Sequence, residues 1–94
     1  MELEEIRQEI AAIDRDIIRL ISERQEYARR IATFKHHEDM PVVDTSQREM
    51  VLDRAFDSAV EARVDPARVR EIFEILITMN EERQEEFSGS RNLP

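Results

Sequence analysis

Residues 3–35 read LEEIRQEIAAIDRDIIRLISERQEYARRIATFK, from Leu3 to Lys35, with no Gly and no Pro. The apolar positions are Leu3, Ile6, Ile10, Ile13, Ile17 and Leu20, then Ala28, Ile31 and Phe34. Steps of three and four run to Leu20 and resume after Ala28, which is the period of a helix. A helix of that length spans about 50 Å at 1.5 Å per residue. A 94-residue chain is too small to cover such a rod in one compact body. The pattern therefore predicts an all-α fold that pairs with a second copy of itself.

Three cations on this helix stand out: Arg7, Arg24 and Lys35. Arg24 takes the place of the next apolar residue, one turn after Leu20 and one turn before Ala28. Lys35 follows Ile31 by one turn. Arg24 and Lys35 point within about 20° of each other and lie roughly 16 Å apart along the axis, so both side chains can converge on one small anion. Arg7 lies about 25 Å below Arg24 and points elsewhere, so it reaches the same ligand only from an antiparallel partner. The alternative for each cation is a stem laid on apolar surface with the charge in water.

The length allows one domain, expected over residues 1–87, with a flexible tail at 88–94 that is polar and holds the only Gly. With no Cys, a disulfide scaffold and a thiolate metal site are both excluded. A cytoplasmic setting is compatible with that composition and is the expected localisation. The acidic start, Met1-Glu2-Leu3-Glu4-Glu5, has no signal-peptide hydrophobic region, and no apolar run approaches membrane-spanning length. The net charge of −8 argues against non-specific binding to nucleic acid or an anionic membrane. A small anionic substrate would need cations gathered locally.

Along the chain, the first helix is expected to end between Phe34 and His37. Glu23 with Tyr27 and Glu26 with Arg30 sit one turn apart on an exposed flank, and Tyr27 is expected at a helix contact. Residues 36–45 read as a loop, because Pro41 disfavours helical geometry at Met40. His36 and His37 diverge on a helix and have no third partner at metal-ligand spacing, so no metal is expected. Val42-Val43 is expected to anchor the loop. Thr45 or Ser46 is expected to cap a second helix, with Ser46 and Glu49 forming a capping box. Its apolar side is Val51 or Leu52, Ala55, Phe56, Ala59 and Val60, and it is expected to end at 62–64. Asp65-Pro66 is a cap followed by proline at the first helical position. The third helix carries Val69, Ile72, Phe73, Leu76 and Ile77, and its face continues through Asn80 and Gln84 to Phe87. Asn80 and Gln84 lie one turn apart. They suit a capped core end as well as they suit a ligand. No Gly-rich phosphate loop and no nucleophile signature is present.

Ile6-Arg7-Gln8-Glu9-Ile10 with Ile13-Asp14, then Ser22-Glu23-Arg24, Lys35, Pro41-Val42 through Arg48-Glu49, and Phe73-Glu74-Ile75-Leu76-Ile77 together resemble a chorismate mutase of the all-helical class, over about residues 3–87. The order and spacing of the pieces carry the match. The resemblance implies an intertwined homodimer of one long and two shorter helices per chain, with two shared sites. It implies conversion of chorismate to prephenate, an intramolecular Claisen rearrangement that needs no cofactor, metal, nucleophile or base. Such a site must hold a compact conformer and stabilise negative charge on the ether oxygen.

By that resemblance Arg24, and Arg7 in trans, grip the substrate carboxylates. Lys35 bridges a carboxylate and the ether oxygen, and Gln84 donates to the opposite side of that oxygen. Asn80 lies near the ring carboxylate, Glu49 binds the ring hydroxyl, and Arg48 supports the acidic and anionic groups. The loop aligns in two ways. Counting from Pro41 puts Asp44 on the family's hydroxyl-side Asp and Gln47 on its Arg. Counting back from Arg48-Glu49 shifts Asp44 by one. One inserted residue reconciles the counts, leaves the role of Asp44 open, and lets Thr45 or Ser46 offer backbone contacts.

A related isochorismate-pyruvate lyase shares the fold and similar cations, but the resemblance favours a bulkier aromatic residue there than Asn80. A regulatory domain without catalysis, or one activated by a partner enzyme of aromatic biosynthesis, is a second alternative. Retention of Arg24, Lys35, Glu49 and Gln84 argues against loss of catalysis. A structural coiled-coil dimer is the third alternative. It leaves Arg24, Asn80 and Gln84 incidental and accounts less well for the loops that return the later helices.

Overall fold

The computed structural model describes residues 2–87, and the expected tail at 88–94 lies outside them. Among the described residues the chain is entirely helical: α1 (Leu3–His37), α2 (Thr45–Glu61) and α3 (Pro66–Phe87). Glu4 and Glu5 lie in the first turn of α1 and Lys35, His36 and His37 in its last, each complementing the helix dipole. No helix among the described residues is long and apolar enough to cross a membrane.

Both inter-helix turns are made without glycine. After α1, the N–H of Met40 donates to the Lys35 carbonyl at 2.7 Å and that of Asp39 to the His36 carbonyl at 3.3 Å. After α2, Val64 donates to Ala59 at 3.0 Å and Arg63 to Val60 at 3.1 Å. This paired pattern is the Schellman motif, which needs a left-handed residue just past the helix. Asp39 at φ 55° and Arg63 at φ 60° take that position. A short polar Asp tolerates it better than Arg, for which the backbone costs about 1 kcal/mol. These turns fold α2 back and return α3, so that α3 packs against both α1 and α2 while α1 and α2 share no packed face.

The start of α2 departs from the sequence expectation. Thr45 and Ser46 are already helical, and Asp44 is the cap. Its backbone is extended (φ −121°, ψ 99°) and its carboxylate accepts from the Gln47 N–H at 3.1 Å. The Ser46–Glu49 capping box does not form: Glu49 turns towards Arg70, 3.9 Å away. At the start of α3 the Asp65 carboxylate accepts from Ala67 and Arg68 as expected. Residues 62–64, expected as the last turn of α2, form the reversal instead.

The buried apolar core is Ala28 and Ala32 of α1, Leu52, Ala55 and Ala59 of α2, and Ile77 of α3. Small residues let the helices approach closely but bury little area. Because α2 packs only on α3, its covered stripe is narrow, and Phe56 and Val60 stay exposed. Val43 and Tyr27 are exposed too, and the Arg30 guanidinium lies over the Tyr27 ring. The chain measures 54 × 27 × 18 Å, with a radius of gyration of 16.6 Å, against about 12 Å for a compact body of this length. The excess is the N-terminal half of α1, where Leu3, Ile6, Ile10, Ile13, Ile17 and Leu20 are all at least 42% exposed. A contiguous apolar stripe of this size marks an interface.

Candidate active site

The upper half of α1, the start of α2 and the later turns of α3 enclose a cleft of about 320 Å³. Arg24, Ile31 and Lys35 enter it from α1; Asp44, Gln47, Arg48, Val51 and Arg54 from α2 and its cap; Ile77, Asn80, Glu81 and Gln84 from α3. Thus Arg24 and Lys35 share one cleft, and Asn80 and Gln84 face it from the opposite helix. Val42 closes the end nearest Lys35.

The Lys35 ammonium donates to the Val42 carbonyl at 2.7 Å. That bond holds the 38–44 loop over the cleft and leaves two of the three ammonium protons for other acceptors. At the other end, the Arg24 guanidinium stands 5.7 Å from the Phe73 ring centroid. Its Nη1 is buried with no hydrogen-bond partner among the described residues. Burial foremost, and the charge of Arg54 after it, hold the Arg24 pKa below the ordinary guanidinium value. Gln84 is only 6% exposed, and its Oε1 likewise has no partner. Buried polar atoms are rarely left unsatisfied. Of the three such atoms among the described residues, two belong to residues that line this one cationic cleft, and the third, Gln25 Oε1, does not.

The other predicted residues divide. Arg48 lines the cleft, but Glu81 already holds it at 3.1 Å, which cancels its charge locally. Asp44 lines the cleft while capping α2. Glu49 is outside the lining. Arg7 is exposed on the distant half of α1 and is not brought to the cleft by its own chain. Glu81 and Arg54 were not singled out from sequence. The available signals were that Glu81 is next to Asn80, and that Arg54 lies on the helical face of Gln47 and Val51. His36 and His37 are exposed, and the described residues hold no group of three or more metal-ligating side chains.

The sequence model of the family described as chorismate mutase type II matches residues 6–85. A chorismate mutase of Methanocaldococcus jannaschii is 34% identical over 85 residues, covering 90% of this chain and 86% of that protein. A bifunctional chorismate mutase/prephenate dehydratase of Aquifex aeolicus is 33% identical over 81 residues, 86% of this chain but 17% of that larger protein. No solved structure matches the chain. The chain belongs to the type II chorismate mutase family.

Proposed function

We propose that this chorismate mutase rearranges chorismate to prephenate in the Arg24–Lys35–Gln84 cleft, and that Arg7 of a second copy completes the site. The single observation that carries the reading is the pair of partnerless buried atoms, Arg24 Nη1 and Gln84 Oε1, in the cleft that holds Lys35.

The reaction breaks one C–O bond and forms one C–C bond within the substrate, so the protein supplies shape and charge. Arg24 and the partner's Arg7 hold the two carboxylates, which fixes the compact conformer. Lys35 donates to the ether oxygen as its bond breaks. Gln84, whose buried Oε1 accepts no hydrogen bond among the described residues, turns its NH2 to the other side of that oxygen. Asn80 contacts the ring carboxylate. Arg48 supports the acidic groups through Glu81. Asp44, which one count of the loop puts on the hydroxyl side, and Glu81 are the two carboxylates that line the cleft. Glu49 reaches that hydroxyl only by leaving Arg70.

The homodimer is supported by the exposed stripe from Leu3 to Leu20, since covering each half-exposed Ile or Leu contributes on the order of 1 kcal/mol. Sedimentation at micromolar concentration should give about twice the 11.2 kDa chain mass. A fully active monomer would exclude a shared site. An Arg7→Ala chain mixed with an Arg24→Ala chain should regain about a quarter of wild-type activity, because half the dimers are mixed and each has one intact site. Verified mixed dimers without recovery would place Arg7 elsewhere. The direct test is purified protein with chorismate, following loss of the enol ether and formation of prephenate. Pyruvate from isochorismate without prephenate from chorismate would make it the lyase.

A further inference from the structure

We propose that Arg54 is a substrate-binding residue, a further cation that closes on one carboxylate of the dianionic substrate beside Arg24. The inference rests on the mutase reading and adds a group for which neither the resemblance nor any motif gives a role.

The first observation is placement. Asp44, Gln47, Val51 and Arg54 line the cleft from one side of α2 and its cap. Steps of four and three bring Gln47, Val51 and Arg54 to one helical face. Arg54 is the last of them, at the end of the cleft away from Lys35 and Val42, where Arg24 enters.

The second is its pairing. Among the exposed arginines, Arg19, Arg29, Arg68 and Arg83 each hold a carboxylate one turn away, at 2.7–3.0 Å, whereas Arg7, Arg15, Arg30, Arg54 and Arg63 hold none among the described residues. Arg54 has Asp57 three residues on, yet makes no ion pair among the described residues. Its notable electrostatic neighbour is another guanidinium, that of Arg24.

The third is charge balance. The cleft is lined by four cations, Arg24, Lys35, Arg48 and Arg54, and two carboxylates, Asp44 and Glu81. Arg48 is neutralised by Glu81. Two like charges that face each other across a cleft destabilise the unliganded protein. An anion between them turns that repulsion into two attractions. A carboxylate accepting from both guanidiniums would also satisfy Arg24 Nη1. Arg54 carries its charge two turns beyond Gln47 on the same face.

The test is steady-state kinetics of the purified protein with chorismate. Arg54→Gln should raise KM by roughly ten- to hundredfold with kcat little changed, as expected when one charge-assisted bond is lost in ground and transition state alike. Arg54→Lys should recover part of that loss, and Arg54→Glu should exceed it. Because Arg54 is exposed, all three variants should sediment as wild type. Unchanged KM in Arg54→Gln and Arg54→Glu, with Lys35→Ala inactive, would overturn the role of Arg54 and leave the mutase site standing. A fall in kcat alone would equally overturn it. Full activity in Lys35→Ala would remove the site itself and this inference with it.

Discussion

Lys35→Ala is expected to lower the rate of chorismate conversion at saturating substrate by about a thousandfold, with the protein still folded and sedimenting as the wild type. The side chain is half-buried, and its ammonium is tied by one bond to the Val42 carbonyl at 2.7 Å. Its remaining protons face the cleft, where a single full positive charge can meet the oxygen that gains charge as the C–O bond breaks. That charge grows between ground and transition state, so the loss should fall on kcat rather than on KM. Removing the ammonium also deprives Val42 of a partner, which costs about 1 kcal/mol of stability. A stability change of that size cannot account for a thousandfold loss of rate in protein that remains folded. Lys35→Arg should recover little, because a planar guanidinium does not replace a compact ammonium at one oxygen. The check is turnover at saturating chorismate, with sedimentation of the same samples. Near-normal turnover in Lys35→Ala protein that sediments as the wild type would refute the role of Lys35.

Much of this architecture is legible in the chain because it is written in local periodicity. The steps of three and four from Leu3 to Leu20, resumed from Ala28 to Phe34 with no Gly or Pro between, give α1 its length. Asp65-Pro66 gives the start of α3 to the residue. The shared face of Arg24 and Lys35 follows from eleven positions at 100° each, and both residues do line the cleft.

What the sequence does not disclose depends on choices between near-equal local options. Asp44, Thr45 and Ser46 are all good caps. The extended backbone that follows Pro41 decides for Asp44, and that frees Glu49 to lean towards Arg70. The reversal at Arg63 carries no glycine to announce it. Glu81 gains its place only when α3 packs beside α2 and meets Arg48 across 33 positions of sequence. Arg54 is similar: a surface arginine with Asp57 one turn away reads as half of a helix ion pair until the fold sets Arg24 in front of it. Phe56, Val60 and Ile72 belong to apolar faces by period, but a narrow three-helix chain does not bury them.

Gln84→Glu should shift the activity towards acid pH. Gln84 is 6% exposed, and it lines from α3 the cleft that Lys35 enters from α1. The neutral amide donates at any ordinary pH. A glutamate in its place donates only when protonated. Above its pKa it sets a carboxylate against an oxygen that is itself becoming negative. Burial would raise that pKa, while Lys35 and Arg24 in the same cleft would lower it. Whichever prevails, the sign of the profile is fixed: the protonated form is the active one, so turnover rises as pH falls through the pKa. At neutral pH the variant should be slower by about a hundred- to a thousandfold, the loss expected for one transition-state donor. Gln84→Ala should lose a similar factor and recover none of it in acid. That contrast separates catalysis from packing, since a core amide that only fills space would give both variants the wild-type pH profile. The measurement is kcat against pH for the wild type and both variants over the range in which each remains folded. A Gln84→Glu profile parallel to the wild type, or full turnover in folded Gln84→Ala protein, would leave the ether oxygen to Lys35 alone.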